Sequence, residues 1–505
     1  MRASTRLSLF SILLLACQSP GGGGTDRPPG DDGGSNGNPD GGGGDPVNGL
    51  YPFSYGMNFG YYNSSLTDVK GSQLSLAAGG RSHRHKLTEP FLDQWGDSIH
   101  VGELTTMTKA GESGLICFLI AASAAHSNAP SGGDLEHYSP KNLWEPIFTT
   151  SGDINPNNYW ASFVARVVTN YKPYIHQWEV WNEPDQVGGN WQATQAWATS
   201  PPKPSDLGWW NDTIFAYIRM LRVTYAVVHK LDPDGLVTLG GIGYPSFLNA
   251  ILRYTDEPNA GAVDAAHPDK GGAYFDLVSF HYYPVFAPGN SDVGAAGLIK
   301  LHDDLQAELD KAGVVGKGFV ITESGAPRYA FGTTPGGTAY ARNYLVKAMT
   351  RAQAIAIRRI DWFILGDDVD VGASTDGFHY MGLYQNLKPV TDPANAVLTE
   401  SGIAYATLSG ALGGGVADRD ATAALGLGAG TRGVAMRTGD GKSAWVVWAE
   451  GSDENATGKV SLASTGDVEV RAWDYSKTHT AATQSPTAGH VSIDVSSSPV
   501  VVLTK

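Results

Sequence analysis

Two short runs place carboxylic acids where a strand would end. In Trp178-Glu179-Val180-Trp181-Asn182-Glu183-Pro184, an asparagine precedes Glu183 and a proline after it stops the strand. In Phe319-Val320-Ile321-Thr322-Glu323-Ser324-Gly325, a second apolar strand ends at Glu323. One glutamate at a strand end carries little meaning. Two are the minimum equipment for breaking a glycosidic bond, one as proton donor and the other as nucleophile or base. The donor must keep its proton at working pH, which an anionic neighbour favours, whereas the nucleophile must stay ionised, which hydrogen bonds to it favour. Glycosylation removes the nucleophile's charge, and the donor can then act as base toward water. Carboxyl groups about 5–5.5 Å apart give retention of configuration, and a wider gap gives inversion.

These acids act together only if the fold brings the two strand ends to one place. The chain has 505 residues, 42% of them hydrophobic and 10% aromatic, enough for a large domain with a substantial core plus a smaller one. Short apolar runs at 55–59, 115–122, 176–181, 236–242, 275–281, 318–322 and 360–365 read as strands, with a more basic one at 80–86. Amphipathic stretches lie between them. Tyr159, Phe163, Val167 and Tyr171 recur every four residues; Ile214, Ile218, Leu221, Tyr225 and Val228 form a second stripe; Leu298, Leu301, Leu305 and Leu309 form a third. Asp206 reads as the N-cap of the second helix, and Asp232-Pro233-Asp234-Gly235 ends it. This alternation predicts an α/β fold, a (β/α)₈ TIM barrel over 49–414. A doubly wound sheet would carry a glycine-rich phosphate loop after its first strand, and Gly56-Met57-Asn58-Phe59-Gly60 is not one.

Beyond about 415 the helical period disappears. Runs at 433–438, 444–449, 459–463, 468–473, 490–495 and 499–503, with a hairpin turn at Gly439-Asp440-Gly441-Lys442, predict a C-terminal antiparallel β-sandwich over 415–505. A strand from ahead of the barrel is expected to complete it. It reads as a packing partner for the barrel, with glycan binding as the other reading.

In such a barrel the active site forms at the C-terminal ends of the strands, and Glu183 and Glu323 end the fourth and seventh. Strand alternation places Glu179 and Trp181 on the side of Glu183 and turns Asn182 away. Trp181-Asn182-Glu183-Pro184 together with Thr322-Glu323-Ser324-Gly325 resembles clan A of the glycoside hydrolases, which pairs Asn-Glu on strand four with a glutamate on strand seven. Glu179 to Asp185 is most similar to family 39 and its neighbours, which also carry a C-terminal sandwich; the resemblance spans roughly 50–505. It implies Glu183 as acid/base, Glu323 as nucleophile and Asn182 as partner of the sugar 2-hydroxyl. In Ser279-Phe280-His281-Tyr282-Tyr283-Pro284, it implies that His281 lines the sugar site and Tyr283 donates a hydrogen bond to Glu323. Within Arg81-Ser82-His83-Arg84-His85, Arg84 is the expected arginine of strand two. In Asp361-Trp362-Phe363, Trp362 is the expected floor of the sugar site, unless it faces the outer helices. Glu179 is expected inside the lumen as a structural polar residue. Trp191, Trp197, Trp209, Trp210, Tyr138 and Trp144 fall in long loops, where aromatic faces either stack on sugars or anchor the loops.

The remaining features bound the setting. A net charge of −15 without a basic patch argues against nucleic acid as a partner. Arg2 and Arg6 precede an apolar run too short to span a bilayer, ending Leu14-Leu15-Ala16-Cys17, which resembles a bacterial lipobox. That resemblance implies a signal peptide over 1–17, lipidation at Cys17, and an outer-membrane or cell-surface location, with secretion as the alternative. Residues 18–48, rich in Gly, Asp and Pro, read as a tether. Cys117, in an apolar run, reads as a buried hydrophobe. His83, Arg84 and His85 lack the carboxylate or cysteine set of a metal site, and neither metal nor cofactor is expected. The chain is expected to act as a monomer on a carbohydrate. The function expected is a retaining β-glycoside hydrolase working by double displacement. The alternatives are a non-catalytic surface glycan binder on a degenerate barrel and a purely structural lipoprotein.

Overall fold

The computed structural model describes residues 52–505; the leader 1–17 with Cys17 and the tether 18–48 lie outside them. Among the described residues, no helix is long and apolar enough to cross a membrane. Eight parallel strands close into a barrel in chain order: β1 Ser54–Asn58, β2 Ser82–Leu87, β3 Leu115–Leu119, β4 Ile175–Val180, β5 Leu236–Leu239, β6 Leu277–Tyr282, β7 Gly318–Ser324 and β8 Ile357–Trp362. β1 pairs with both β2 and β8, which shuts the ring. The eight strands read from the sequence are all present.

The three apolar stripes form helices Tyr159–Tyr171, Ile214–Leu231 and Ser291–Ala312, packed on the outside of the barrel. Asn158 and Thr213 cap the first two, each accepting a backbone N–H in the first turn. The expectation for Asp206 is therefore corrected. Its carboxylate closes the short turn Pro204–Asp206 instead, accepting from the Lys203 N–H and the Trp197 indole. Seven residues separate it from the helix, too far for a cap.

Side chains pointing into the barrel are unusually polar. In the lower layer, Arg359 of β8 reaches Gln177 of β4 at 3.0 Å and also contacts Ser82 of β2. Above it, Glu179 accepts from both Arg84 and Thr322. Buried polar groups cost free energy unless paired, so these strands interlock through side-chain bonds across the lumen. The same strands turn apolar residues outward: Cys117 and Trp178 lie fully buried under the helices. Burial pushes the Cys117 thiol up, so it behaves as a small hydrophobe.

The C-terminal strands are β9 Val416–Ala417, β10 Thr431–Arg437, β11 Ser443–Ala449, β12 Thr457–Ala463, β13 Val468–Arg471, β14 Ala481–Gln484, β15 His490–Ser496 and β16 Val500–Thr504. Six form an antiparallel sheet in the order β14-β13-β16-β11-β10-β9, and β12 pairs with β15 above it. Among the described residues, no strand from ahead of the barrel joins either sheet; Val416–Ala417 takes that edge. β11 is apolar on both faces because both are covered. Val446 and Trp448 join the barrel core, whereas Val447 and Ala449 pack beneath β12 and β15.

Buried polar contacts bind the sheet to the two helices that flank β7, Ser291–Ala312 and Thr338–Ala354. The Lys347 ammonium, fully buried, lies 2.8 Å from Asp292, which also accepts the Trp448 indole N–H at 3.0 Å. Glu454 accepts from Ser291 and Asn343 across the same seam. Asp292→Ala leaves a buried ammonium without its nearest carboxylate and should lower stability by about 3–5 kcal/mol. Urea denaturation measures this, and a loss below about 1 kcal/mol would contradict the packing described.

Candidate active site

β4 ends at Val180, and the alternation expected through Glu183 fails there. Trp181 and Glu183 both adopt left-handed backbone, with φ of 73° and 47°. Trp181 consequently turns outward, edge-on to Trp210 at 4.9 Å, with its indole N–H donating to the Trp209 carbonyl. Asn182 and Glu183 both face the cleft. Non-glycine residues in this region cost about 1–3 kcal/mol each, so the surroundings must enforce the turn. The Glu183 N–H donates to the Gly240 carbonyl at 2.6 Å. The buried Asp185 carboxylate accepts the N–H groups of Gly243 and Tyr244, both at 2.8 Å. Burial, with the Glu183 charge adding to it, pushes Asp185 up to about 7 against those hydrogen bonds.

β5 gives way to Gly240-Gly241, and both glycines are required. Gly241 has φ of +63°, and a Cβ there would lie 2.1 Å from His281 Nε2. A Cβ on Gly240 would strike the Val180 carbonyl. A glycine pair at a strand end was the available signal for this requirement; the sequence reading did not use it.

Glu323 stands at the top of β7 with both oxygens held. Arg84 Nη1 donates to Oε1 at 2.6 Å and the Tyr283 hydroxyl donates to Oε2 at 2.6 Å. Arg84 also donates through Nε and Nη2 to Glu179 and through Nη2 to Asn182 Oδ1 at 2.7 Å, while its plane lies 4.1 Å from the Phe118 ring. Its place in the strand-two run is as expected. Burial alone would push Glu323 up, but the charges of His281 and Arg84 and the Tyr283 and Arg84 hydrogen bonds outweigh it and hold the carboxyl below its ordinary range. Burial and the adjacent Glu323 push the Tyr283 phenol well above its ordinary value, so it remains a donor.

His281 bridges the two acids. Its Nδ1 lies 2.7 Å from Glu183 Oε1 and 3.7 Å from Glu323 Oε2. Its Nε2 lies 3.0 Å from Thr322 Oγ1. Thr322 Oγ1 also lies 2.6 Å from Ser279 Oγ and 2.9 Å from Glu179, which can only accept; with the Thr322 proton on Glu179, Nε2 donates to Thr322. A single proton then occupies the line between Nδ1 and Glu183. Burial works against a charged ring, but Glu323 and the Glu183 bond outweigh it and raise the His281 pKa.

One oxygen of Glu183, one of Glu323 and a ring nitrogen of His281 lie within 4.8 Å of one another. Such a trio could close on a cation, but the Arg84 guanidinium already balances Glu323 and His281 has both nitrogens engaged. The set is a hydrogen-bonded acid–base network.

Trp362 departs from expectation. Arg359 and Asp361 take the inward positions of β8, so Trp362 faces outward, 1% exposed, donating to the Met381 carbonyl and packing beside Tyr344. Phe363, one residue on, reaches the cleft side and meets Tyr283 edge-on at 6.0 Å. Among the loop aromatics, Trp197 and Trp210 are buried anchors, whereas Trp209 lines the cleft.

No protein-family model matches this sequence, and no curated protein matches it. Solved structures do share its fold. A family 39 glycoside hydrolase from Bacteroides cellulosilyticus WH2 aligns at a TM-score of 0.58 and 16% identity, over 91% of this chain and 82% of that one. A family 30 endoxylanase from Clostridium papyrosolvens C71 aligns at 0.54 and 14%, over 90% and 96%. A glucosidase from Croceicoccus marinus aligns at 0.53 and 12%, over 92% and 98%. The barrel with its C-terminal sheets is thus an architecture shared with these glycoside hydrolases.

The electrostatics are directly testable. Glu323 should titrate below an ordinary glutamate in carbon-13 NMR. His281→Asn removes a cation that lowers it, so the midpoint should move to higher pH. An unchanged midpoint would refute the coupling.

Proposed function

We propose that the protein is a retaining β-glycoside hydrolase acting on an oligo- or polysaccharide by double displacement. The observation that carries this reading is the placement of Glu183 and Glu323, with one carboxylate oxygen of each within 4.8 Å and both facing His281 Nδ1. This separation leaves no room for a water between the second carboxylate and the sugar, and it suits a nucleophile that attacks the anomeric carbon. Glu323 is the nucleophile, kept anionic by Arg84, Tyr283 and His281. Glu183 delivers the proton it shares with His281 to the departing oxygen. Glycosylation cancels the charge of Glu323, and Glu183 then takes a proton from water, which attacks the glycosyl–enzyme. Asn182, its oxygen engaged by Arg84, has its amide N–H groups to offer the sugar 2-hydroxyl. Phe363 replaces Trp362 as the apolar surface near the sugar. Attachment through Cys17 at a bacterial surface, and action as a monomer, complete the proposal.

A panel of aryl β-glycosides and β-glucans tests it. Glu323→Ala should abolish turnover. Glu183→Ala should lower kcat/KM by about 10²–10⁴ on substrates whose leaving group needs a proton, and much less on dinitrophenyl glycosides. Full activity in Glu323→Ala defeats the proposal, and binding without turnover by the wild type would favour the glycan-binding alternative.

A further inference from the structure

The recess that Glu323 and Asn182 help to line, about 220 Å³, contains an ion pair that the mechanism above does not use. Lys86 lies two residues beyond Arg84 on the same face of β2, paired in register with Phe118 of β3. Its ammonium stands 6.0 Å from the centre of the Phe118 ring, the ring that also carries Arg84. It forms an ion pair with Glu136, which sits in the turn Leu135–His137 of the loop after β3. The Asp134 side chain accepts the Glu136 N–H at 3.0 Å and fixes that turn. On the next residue, the His137 ring stacks on Trp209, with planes 10° apart, and its carbonyl accepts the Asn211 N–H. Glu136 is thereby held in place by the loop, and both charged groups keep part of their surface open to the recess.

We propose that Lys86 and Glu136 form the element that recognises the sugar on the nucleophile side of the cleft, and that their mutual neutralisation selects a neutral sugar over a uronic acid. The proposal rests on the glycosidase reading for the existence of a bound sugar. An ammonium donates to one hydroxyl oxygen while the neighbouring carboxylate accepts from the next hydroxyl, so the pair fits a vicinal diol. An isolated lysine here would attract a sugar carboxylate. Glu136 cancels that charge, and Glu323 in the same recess adds repulsion. A site that hydrogen-bonds hydroxyls discriminates against a ligand that leaves its polar groups unpaired.

The test compares p-nitrophenyl β-D-glucoside with the β-D-glucuronide, and the galactoside with the galacturonide, by kcat/KM and by equilibrium binding of the free sugars to Glu323→Ala. Wild type should favour the neutral member of each pair by at least about tenfold in kcat/KM, and Glu323→Ala should keep that preference in binding by a smaller margin, because the repulsion from Glu323 is gone. Glu136→Gln frees the ammonium and should shift that ratio toward the uronide by about tenfold or more. Lys86→Gln should weaken the neutral ligand by about 10–100-fold without that shift. A wild-type preference for the uronide, or an unchanged ratio in Glu136→Gln, overturns the proposal. Neutral-selective binding without turnover by the wild type overturns the hydrolase reading and leaves this one standing, whereas loss of both selectivities defeats this one.

Discussion

The guanidinium of Arg84 is the contact on which the rest of the site depends. It satisfies Glu179 deep in the lumen, holds one oxygen of Glu323 and engages the Asn182 amide oxygen, all while lying over the Phe118 ring. Only a planar cation with several donors in a fixed fork can meet partners from β4, β7 and the turn after β4 at once. A lysine would supply charge at one point and leave two of the three acceptors unmatched. Because the group is buried, each partner is necessary to the others: a carboxylate without it would be an unpaired buried charge.

That contact requires a frame that does not relax. The polar lumen ties the strands together from inside, and apolar outward faces bury under the helices. The strained turn at Trp181 and Glu183 is held from the neighbouring strand, where Gly240 and Gly241 let backbone and imidazole approach more closely than any side chain would permit. The C-terminal sheet adds a second restraint. Its buried polar contacts fall on the two helices beside β7, the strand that presents Glu323. The sandwich is therefore a brace for the strand that carries Glu323 as well as a cover for the barrel.

Much of this was legible in the chain. Seven barrel strands are legible as short apolar runs separated by turn residues, and the basic run at 80–86 is the weaker eighth. Glu183 and Glu323 stand out because each ends a strand, whereas Arg84, His281 and Tyr283 are named by the resemblance of their runs to clan A. Other assignments failed for local reasons. Trp362 is expected as the floor of the sugar site unless it faces the outer helices, and register against β1 and β7 turns it outward and hands the inward position to Phe363. Trp181 was placed with Glu183 because period two was continued past the point where the backbone turns left-handed.

The sequence alone determined the element order, the two-part architecture and the strand-end positions of Glu183 and Glu323, since these rest on periodicity and on residue types at strand ends. Tertiary structure decided which neighbours each acid has: His281 against Glu183, Arg84 and Tyr283 on Glu323, and Lys86 neutralised by Glu136. Proton affinity and ligand charge depend on distances of a few ångströms between residues far apart in the chain. Those distances exist only once the barrel has closed.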